Sequence, residues 1–241
     1  MKNIKNHLKD ILKEEGLNLT ENPRGTDKGD KKSYVDKFYE KKFFPFREKQ
    51  LRLMEIGFRH GASLALWSSY FVDGKIFGLD NLSDACIQEN LTINQNWLNR
   101  QNVETIIGDA YSENFSKQVQ GPFDIIIDDG PHSIWSQKKA VELYLKKMND
   151  GGLFIIEDIL LGGVAIFPLL ASVPSGYIAK FYDFRLHKLS GDNCLFVIQK
   201  ESRILMVILN RLLVSLTGVM YLLTEGSLRL LRKVFKVAGV F

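Results

Sequence analysis

The sequence predicts an α/β fold in which a largely parallel sheet is covered by helices on both faces. Three observations predict it: short apolar runs recur between residues 51 and 200, helical stretches separate the earlier ones, and an acid ends most of them. Strands buried on both faces are continuously apolar, and helical connections between parallel strands produce this alternation. Ligands of such sheets bind beyond the carboxyl ends of the strands, which is where these acids fall.

Seven apolar runs are predicted to be strands. In chain order they read LRLMEIG, KIFGLD, VETIIGD, FDIIIDD, GGLFIIED, YIAKFYDF and NCLFVIQK. Helices are predicted at ASLALWSSYF, at SDACIQENLTINQNWLNR with Ser83 as its N-cap, and at SIWSQKKAVELYLKKMN. We divide the chain into an N-terminal helix and polar segment over residues 1–50, the sheet domain over 51–200 and a hydrophobic and basic helical tail over 201–241.

Charge and cysteine content narrow the class of protein. The formal net charge of +4 belongs to the tail, because residues 201–241 hold six basic and two acidic side chains while the rest of the chain is balanced. A balanced body argues against a nucleic-acid partner. The two cysteines, Cys86 and Cys194, are too few for a disulfide framework, and the charged start lacks a secretory signal, so we expect a cytoplasmic protein.

The first two strands predict a nucleotide-like site. Gly57 and Gly61 stand in the turn after the first strand, and Asp80 ends the second strand 23 residues past Gly57. Glycine lets the backbone approach a ligand, and a carboxylate in the position of Asp80 accepts hydrogen bonds from ribose hydroxyls. The glycines alone fit any tight turn, but with Asp80 and the following IIGDA, which ends in Asp109 and Ala110, they favour an adenosine-containing ligand. The spacing excludes the G-x-G-x-x-G fingerprint of NAD sites.

Two acidic pairs on successive strands predict a metal-like site. Asp128 and Asp129 end one strand, and Glu157 and Asp158 end the next. Neighbouring strands lie about 4.8 Å apart, so these carboxylates can converge on one cation, and hard oxygen ligands suit Mg²⁺. Taken singly, Asp128 also fits a helix cap, and Glu157 or Asp158 an ion pair.

His132 follows the first acidic pair in the sequence DDGPH and is the predicted general base. An imidazole with an unperturbed pKa of about 6.5 takes a proton near neutrality, and a hydroxyl near a bound cation loses one more readily. Arg24 and the aromatic residues Phe43, Phe44 and Trp135 are candidates to frame an acceptor, although core packing is the better expectation for the aromatic residues.

The motifs GTDKG, EIGFRHGAS, IDDGPH and FIIED together resemble the macrocin and mycinamicin type of metal-dependent sugar O-methyltransferases. The resemblance covers residues from about 24 to 200. It implies a Rossmann-like, seven-stranded class I methyltransferase sheet with an antiparallel last strand, an N-terminal lid segment, and S-adenosylmethionine (SAM) and Mg²⁺ as cofactors. One departure is Ser33 before Tyr34, where the family often has histidine.

The resemblance also implies roles for individual residues. The implied metal ligands are Asp129, Glu157 and Asp158, and the implied base is His132. The implied SAM contacts include Thr26 and Lys28, which lie near the cofactor or the lid, together with Glu55, Gly57, Asp80 and Asp109. Gly61 joins the cofactor site through the glycine turn, and Asp128 is assigned to it while a purely structural role stays open.

These expectations combine into one predicted function, the Mg²⁺-dependent transfer of a methyl group from SAM to a hydroxyl of a glycosyl acceptor. The acceptor is expected to be a glycosylated small molecule or a glycolipid. Two alternatives stay open: an O-methyltransferase of catechols or other small phenols, and a catalytically silent SAM-fold module attached to a membrane complex.

The tail adds a predicted surface for a membrane or a partner. Residues 204–223 form an apolar stretch close to the ~20-residue length of a bilayer span, but the charge of Arg211 makes insertion marginal. Residues 228–236 then place four basic side chains on one helix face, which is typical of an interfacial anchor. Over 204–236 we therefore expect peripheral association with the inner face of a membrane, with packing onto the domain or onto a second subunit of a homo-oligomer as the alternative.

Overall fold

One mixed sheet of seven strands organises the protein in the computed structural model, which describes residues 7–83, 95–160, 163–185, 192–201 and 206–220. The strand order is β3-β2-β1-β4-β5-β7-β6. The strands are β1 (Arg52–Ile56), β2 (Lys75–Asp80), β3 (Val103–Ile107), β4 (Phe123–Asp128), β5 (Met148–Ile156), β6 (Tyr177–Asp183) and β7 (Cys194–Lys200). All seven lie within or overlap the predicted apolar runs.

The strand directions confirm the predicted fold class. Strands β1 to β5 are parallel to one another, and β7 is antiparallel to both β5 and β6. In the register of the central strands, Asp128 pairs with Ile56 on one side and with Ile156 on the other. The residues that follow these three positions are Gly57, Asp129 and Glu157, so the topology brings the glycine turn and both acidic pairs to one edge of the sheet.

Helices cover the sheet as the alternating pattern predicts. Those described are α1 (Leu8–Glu14), α2 (Glu40–Phe43), α3 (Ala62–Tyr70), α4 (Gln95–Leu98), α5 (Glu113–Gln118), α6 (Ile134–Tyr144), α7 (Gly163–Ser172) and α8 (206–220). A π-helical turn, Val35–Tyr39, leads directly into α2. Most of the predicted helix that begins after Ser83 lies outside the described residues, which resume at α4.

The N-terminal segment is part of the core. Tyr39 and Phe43 pack their rings against Trp67 of α3, with centroids 5.0 and 5.2 Å apart. Leu8 and Leu12 of α1 are buried in the same cluster. Burial of large aromatic side chains contributes strongly to stability, so residues 8–43 are held against the sheet by a continuous apolar contact. The polar stretch between α1 and Tyr34 is thereby held at both ends, and it reaches the carboxyl edge of the sheet.

Helix α8 closes the edge of the sheet at β6. The side-chain amide of Asn210 donates to the Ala179 carbonyl oxygen at 2.8 Å and accepts from the Ala179 amide at 2.7 Å. Val207 and Val214 are buried on the same side of the helix. An edge strand has backbone N–H and C=O groups without a partner strand, and here Asn210 of α8 pairs both of these groups of Ala179. Among the described residues, the structure contains no helix that is long and apolar enough to cross a membrane.

Candidate active site

A cavity of about 700 Å³ opens at the carboxyl edge of β1, β2, β3 and β4. Its size is that of a site for a small molecule or a cofactor. Its wall includes one group of predicted cofactor contacts and one group of predicted catalytic and metal-binding residues, namely Thr26, Gly57, Asp80 and Asp109, and Asp129, His132 and Asp158. Residues that the sequence assigned to two separate sites therefore line the same cavity.

Asp80 organises the cofactor-like half of the cavity. One of its carboxylate oxygens accepts from the Arg59 amide at 2.9 Å, and the other accepts from the Leu82 amide at 2.8 Å. Arg59 and Leu82 both have positive φ angles, near 50°, which are uncommon for residues other than glycine. The carboxylate thus holds two unusual turns in place, and its remaining lone pairs are available to a ligand.

Gly57 lines the cavity, and the structure gives a further reason for a glycine at this position. It has a φ of 85°, and a Cβ atom there would stand 2.3 Å from the Asp129 carbonyl oxygen. The close approach is therefore between two segments of the protein, and it ties the turn after β1 to the acidic pair after β4. Gly61 lies outside the cavity wall, with a φ of 87° at the start of α3, where a Cβ atom would meet Leu98.

The other half of the cavity contains Asp129, His132 and Asp158. Each of these side chains offers one ligand atom, and these atoms all lie within 4.8 Å of one another. His132 Nε2 is 3.9 Å from an Asp158 carboxylate oxygen. His132 and Asp158 both have left-handed backbones, with φ of 57° and 53°, and such conformations cluster at functional sites.

Four predicted site residues are buried behind the cavity wall. Glu55 accepts from the Trp67 indole at 2.9 Å, and Asp128 accepts from the Tyr111 hydroxyl at 2.7 Å. Lys28 and Glu157 contact each other at 2.8 Å. The resemblance implied that Glu55 lines the SAM site and that Lys28 lies near SAM or the lid, and it left Asp128 between a cofactor and a structural role. In the structure these three side chains are buried and do not line the cavity. The local pattern did not reveal that their side chains point into the core.

The Glu157–Asp158 pair is held by the N-terminal segment. Glu157 accepts from Lys28 and from the Tyr39 hydroxyl. Asp158 accepts from the Tyr34 hydroxyl at 2.7 Å, and the Lys32 ammonium lies 3.0 Å from it. Each acid of the pair therefore has one lysine and one tyrosine partner. Sequence reasoning assigned neither of these tyrosines nor Lys32 to the site.

Burial and charge set the protonation states in this cluster. Burial alone would lower the pKa of Lys28, but the carboxylates around it outweigh that effect and raise the pKa well above its ordinary value. Burial raises the pKa of Asp128 to about 7, although its hydrogen bonds from Tyr111 and the Gly130 amide oppose the rise. Burial lowers the pKa of His132, which favours the neutral imidazole that accepts a proton.

The aromatic candidates divide between core and cavity. Phe43 is fully buried among Tyr39, Trp67 and Phe71, as the core-packing expectation has it. Phe44 is exposed and does not line the cavity. Trp135 lines the cavity with 66% of its surface exposed, and Arg24 lines it as well. Tyr111, which no motif singled out, forms another part of the wall.

Residues 54–159 match a family model described as a methyltransferase domain. This range begins in β1 and ends just after Asp158, so it contains the cavity residues contributed by the sheet. The N-terminal residues that reach into the acidic cluster lie outside the matched range.

Relatives by sequence come from sugar-modifying pathways. The mycinamicin VI 2''-O-methyltransferase of Micromonospora griseorubida is 32% identical over 130 residues, which are 50% of this chain and 30% of that relative. The demethylmacrocin O-methyltransferase of Streptomyces fradiae is 30% identical over 131 residues, again 50% of this chain and 30% of the relative. The chain therefore spans about a third of the length of the curated relatives it matches.

Solved structures show the same fold. The MycE methyltransferase from the mycinamycin biosynthetic pathway, in complex with Mg and SAH, aligns with a TM-score of 0.59 and 21% identity. The alignment covers 82% of this chain and 55% of that one. These matches confirm the resemblance that the motifs predicted. The fold is therefore that of the class I methyltransferases, residues 54–159 are similar to a methyltransferase domain, and half of the chain is similar in sequence to the macrocin and mycinamicin type of O-methyltransferases.

Proposed function

We propose that this protein transfers a methyl group from SAM to a hydroxyl of a glycosyl acceptor with the help of Mg²⁺. The observation that carries the proposal is that one cavity joins Gly57, Asp80 and Asp109 to Asp129, His132 and Asp158. The first group suits a nucleoside-containing methyl donor, and the second offers cation ligands and a base. Relatives named as sugar O-methyltransferases support the same assignment.

The donor half is proposed to hold SAM through the ends of β2 and β3. In this proposal Asp80 accepts hydrogen bonds from the ribose hydroxyls, and Asp109 lies near the adenine. Thr26 reaches the same cavity from the N-terminal segment. Gly57 keeps the turn between donor and acceptor halves free of a side chain. Gly61 begins the helix behind that turn and contributes through its backbone conformation.

The chemistry of the acidic residues fits Mg²⁺. Carboxylate oxygens are the hard ligands that Mg²⁺ prefers, and it binds through few protein groups while keeping sites for water or substrate. Of the three ligands implied by resemblance, Asp129 and Asp158 face the cavity, and we propose these two as direct ligands. A bound Mg²⁺ would make a nearby acceptor hydroxyl more acidic. Glu157 lies behind them, and its role is considered below.

His132 is proposed as the general base. Its neutral imidazole accepts the proton of the acceptor hydroxyl while that oxygen attacks the methyl group of SAM, and S-adenosylhomocysteine leaves. Asp158 is close enough to the ring to stabilise the imidazolium that forms. Holding donor and acceptor in line supplies a large part of the expected rate enhancement.

A methyl-transfer assay with two acceptor classes tests the proposed reaction. Deoxysugar glycosides and lipid-linked glycans are offered in parallel with catechols, using SAM that carries a labelled methyl group. We expect label on the glycosides or glycans and none on the catechols. Label on catechols alone would support the small-phenol alternative. Binding of SAM without transfer to any acceptor would support the silent module.

Exposed apolar side chains on α8 support a further proposal about where the protein works. The helix buries Val207 and Val214 against the domain, whereas Leu209, Leu212, Leu213 and Leu216 are each more than half exposed. This spacing produces one continuous apolar stripe. Residues 221–241 follow with four basic side chains and one acidic one, although they lie outside the described residues.

We propose that this stripe lies on an anionic membrane surface, at the inner face of the membrane. A helix docked on the domain along one side can insert the other side into the headgroup region, and basic residues add attraction to anionic lipid. The acceptor would then be a lipid-linked or cell-surface glycan. A second copy of the chain on the same stripe is the competing occupant.

Replacing Leu213 by glutamate is expected to release the protein from liposomes. Full-length protein should float with vesicles that contain anionic lipid, and Leu213→Glu should stay in the soluble fraction. Val72→Glu is the matched control, because Val72 is equally exposed but lies far along the chain from α8. The membrane proposal is wrong if the wild-type protein does not float with the vesicles. It is also wrong if the only effect of Leu213→Glu is to dissociate a dimer seen by ultracentrifugation.

A further inference from the structure

The ammonium group of Lys28 stands inside a cage of three carboxylates. Its Nζ atom is 2.6 Å from Asp129 Oδ2, 2.8 Å from Glu157 Oε1 and 3.2 Å from Glu55 Oε1. Lys28, Glu55 and Glu157 are almost completely buried. One ligand atom from each of the three acids lies within 4.8 Å of the others, which is the spacing of a cation site. A lysine thus takes the position that a metal ion takes in other acidic clusters.

The cluster has a second half that faces the cavity. It consists of Asp129, His132 and Asp158, and Asp129 belongs to both halves. Buried carboxylates this close to one another repel unless a cation lies between them. Lys28 is buried in the inner half. In the outer half Lys28 contacts Asp129 and Lys32 lies 3.0 Å from Asp158, but no ammonium group among the described residues contacts both acids. The outer half therefore suits an exchangeable ion.

Two buried aromatic side chains hold the glutamates of the cage in place. Tyr39 donates to the same Glu157 oxygen that contacts Lys28, so this carboxylate is fixed on its inner side. Trp67 donates to the other oxygen of Glu55. Both aromatic side chains are fully buried and lie in ring contact with each other. The geometry of the inner half is thus determined by the core and not by a ligand.

We infer that Lys28 is a positioning residue which fills the inner half of the cluster and confines the protein to one divalent cation, at Asp129 and Asp158. This inference rests on the proposed function, because it concerns where the cation of that function binds. In this arrangement Glu55 and Glu157 pair with Lys28 and do not bind the cation, whereas Asp129 contacts both Lys28 and the cation. The ion pair between Lys28 and Asp129 also orients Asp129 toward its position in the outer half.

Mn²⁺ binding measured by electron paramagnetic resonance tests whether Lys28 fills the inner half and the cation binds only in the outer half. It needs no activity measurement. The wild-type protein is expected to bind one Mn²⁺ per chain. Asp158→Asn should weaken this binding by on the order of 100-fold or more, because it changes a direct ligand and the loss of an outer-shell partner alone costs about 10–100-fold. Glu55→Gln and Glu157→Gln keep the size and the hydrogen-bond acceptor of each side chain and should weaken it less than about 5-fold, a smaller effect than that range.

Lys28→Met provides the second arm. Without its ammonium group, the inner cage is expected to take a divalent ion, so the variant should bind two Mn²⁺ per chain. Lys37→Met, at an exposed lysine of the same segment, is the control and should bind one. If Lys28→Met does not fold, the two glutamine variants still decide the question.

The outcomes separate this inference from the proposed function. Absence of Mn²⁺ binding to the wild-type protein overturns both. Normal wild-type binding that Glu55→Gln and Glu157→Gln weaken as strongly as Asp158→Asn overturns the inference alone, because the metal ion then enters the inner cage in place of Lys28. A folded Lys28→Met variant with a single, unchanged Mn²⁺ site overturns it as well.

Discussion

Replacing His132 by alanine is expected to lower kcat by about 10²–10⁴, the usual contribution of a positioned general base. The affinity for SAM should stay within a factor of two of the wild-type value, because His132 lies beside the proposed acceptor half of the cavity, while Asp80 and Asp109 line the proposed donor half. Kinetics with a labelled methyl donor and calorimetry with SAM measure the two quantities separately.

The same substitution at His7 is the matched control for this variant. His7 is on the surface, where its ring contacts Glu40, and His7→Ala should leave kcat unchanged. The role of His132 as base is contradicted if His132→Ala retains more than about a tenth of the wild-type kcat, well above the range for a lost base. It is also contradicted if kcat falls only because SAM no longer binds.

Replacing Gly57 by alanine is expected to destabilise the fold and to weaken SAM binding together. Left-handed backbone at a residue with a Cβ atom costs about 1–2 kcal/mol. The new atom would also stand 2.3 Å from the Asp129 carbonyl oxygen, and forcing extra atoms into a packed site costs a further ~1–3 kcal/mol. Because the clash displaces the segment of Asp129, Mn²⁺ binding should weaken as well.

Gly176→Ala separates backbone strain from the clash. Gly176 has a φ of 90°, close to that of Gly57, but a Cβ atom there meets nothing within 4 Å. Chemical denaturation of both variants should show a markedly larger loss for Gly57→Ala, and only that variant should lose ligand affinity. Equal losses in the two variants would mean that the contact between Gly57 and Asp129 is unimportant.

The sheet could be predicted from sequence because its signals are local. The central runs FDIIIDD and GGLFIIED are mainly apolar, because the middle of the sheet is buried on both faces. The outer strands β3 and β6 carry charged residues and are largely half-buried or exposed. The runs YIAKFYDF and NCLFVIQK became β6 and β7, and the antiparallel direction of β7 followed from the resemblance. The acidic pairs met as expected because parallel strands end at the same edge, so Asp128 and Ile156 lie side by side.

The orientation of single side chains at that edge could not be predicted. Asp128 and Asp129 are adjacent in the sequence, yet one points into the core toward Tyr111 and the other lines the cavity. Glu157 and Asp158 divide in the same way. The alternation of side chains along an extended backbone allows either assignment, and only the packing of the neighbouring elements decides which residue faces inward.

The contribution of the N-terminal segment was hidden for another reason. Lys28 contacts Asp129 and Glu157 across 101 and 129 residues of sequence. Contacts between residues so far apart leave no periodic pattern in the sequence from which they could be predicted. The resemblance placed Lys28 near the cofactor or the lid, whereas the structure places its ammonium group among the acids. A lysine followed by Tyr34 and Tyr39 is otherwise typical of an amphipathic surface segment.

We propose that this protein moves a methyl group from SAM to a glycosyl hydroxyl at a metal-dependent site. The assay with labelled SAM tests it most directly when the full-length protein is given its glycan acceptors with Mg²⁺ and, in parallel, with a chelator. We predict labelled glycan and S-adenosylhomocysteine in equal amounts with Mg²⁺, and neither product with the chelator. Undiminished transfer in the chelator, or failure of the Mg²⁺-loaded protein to bind SAM, would contradict the account.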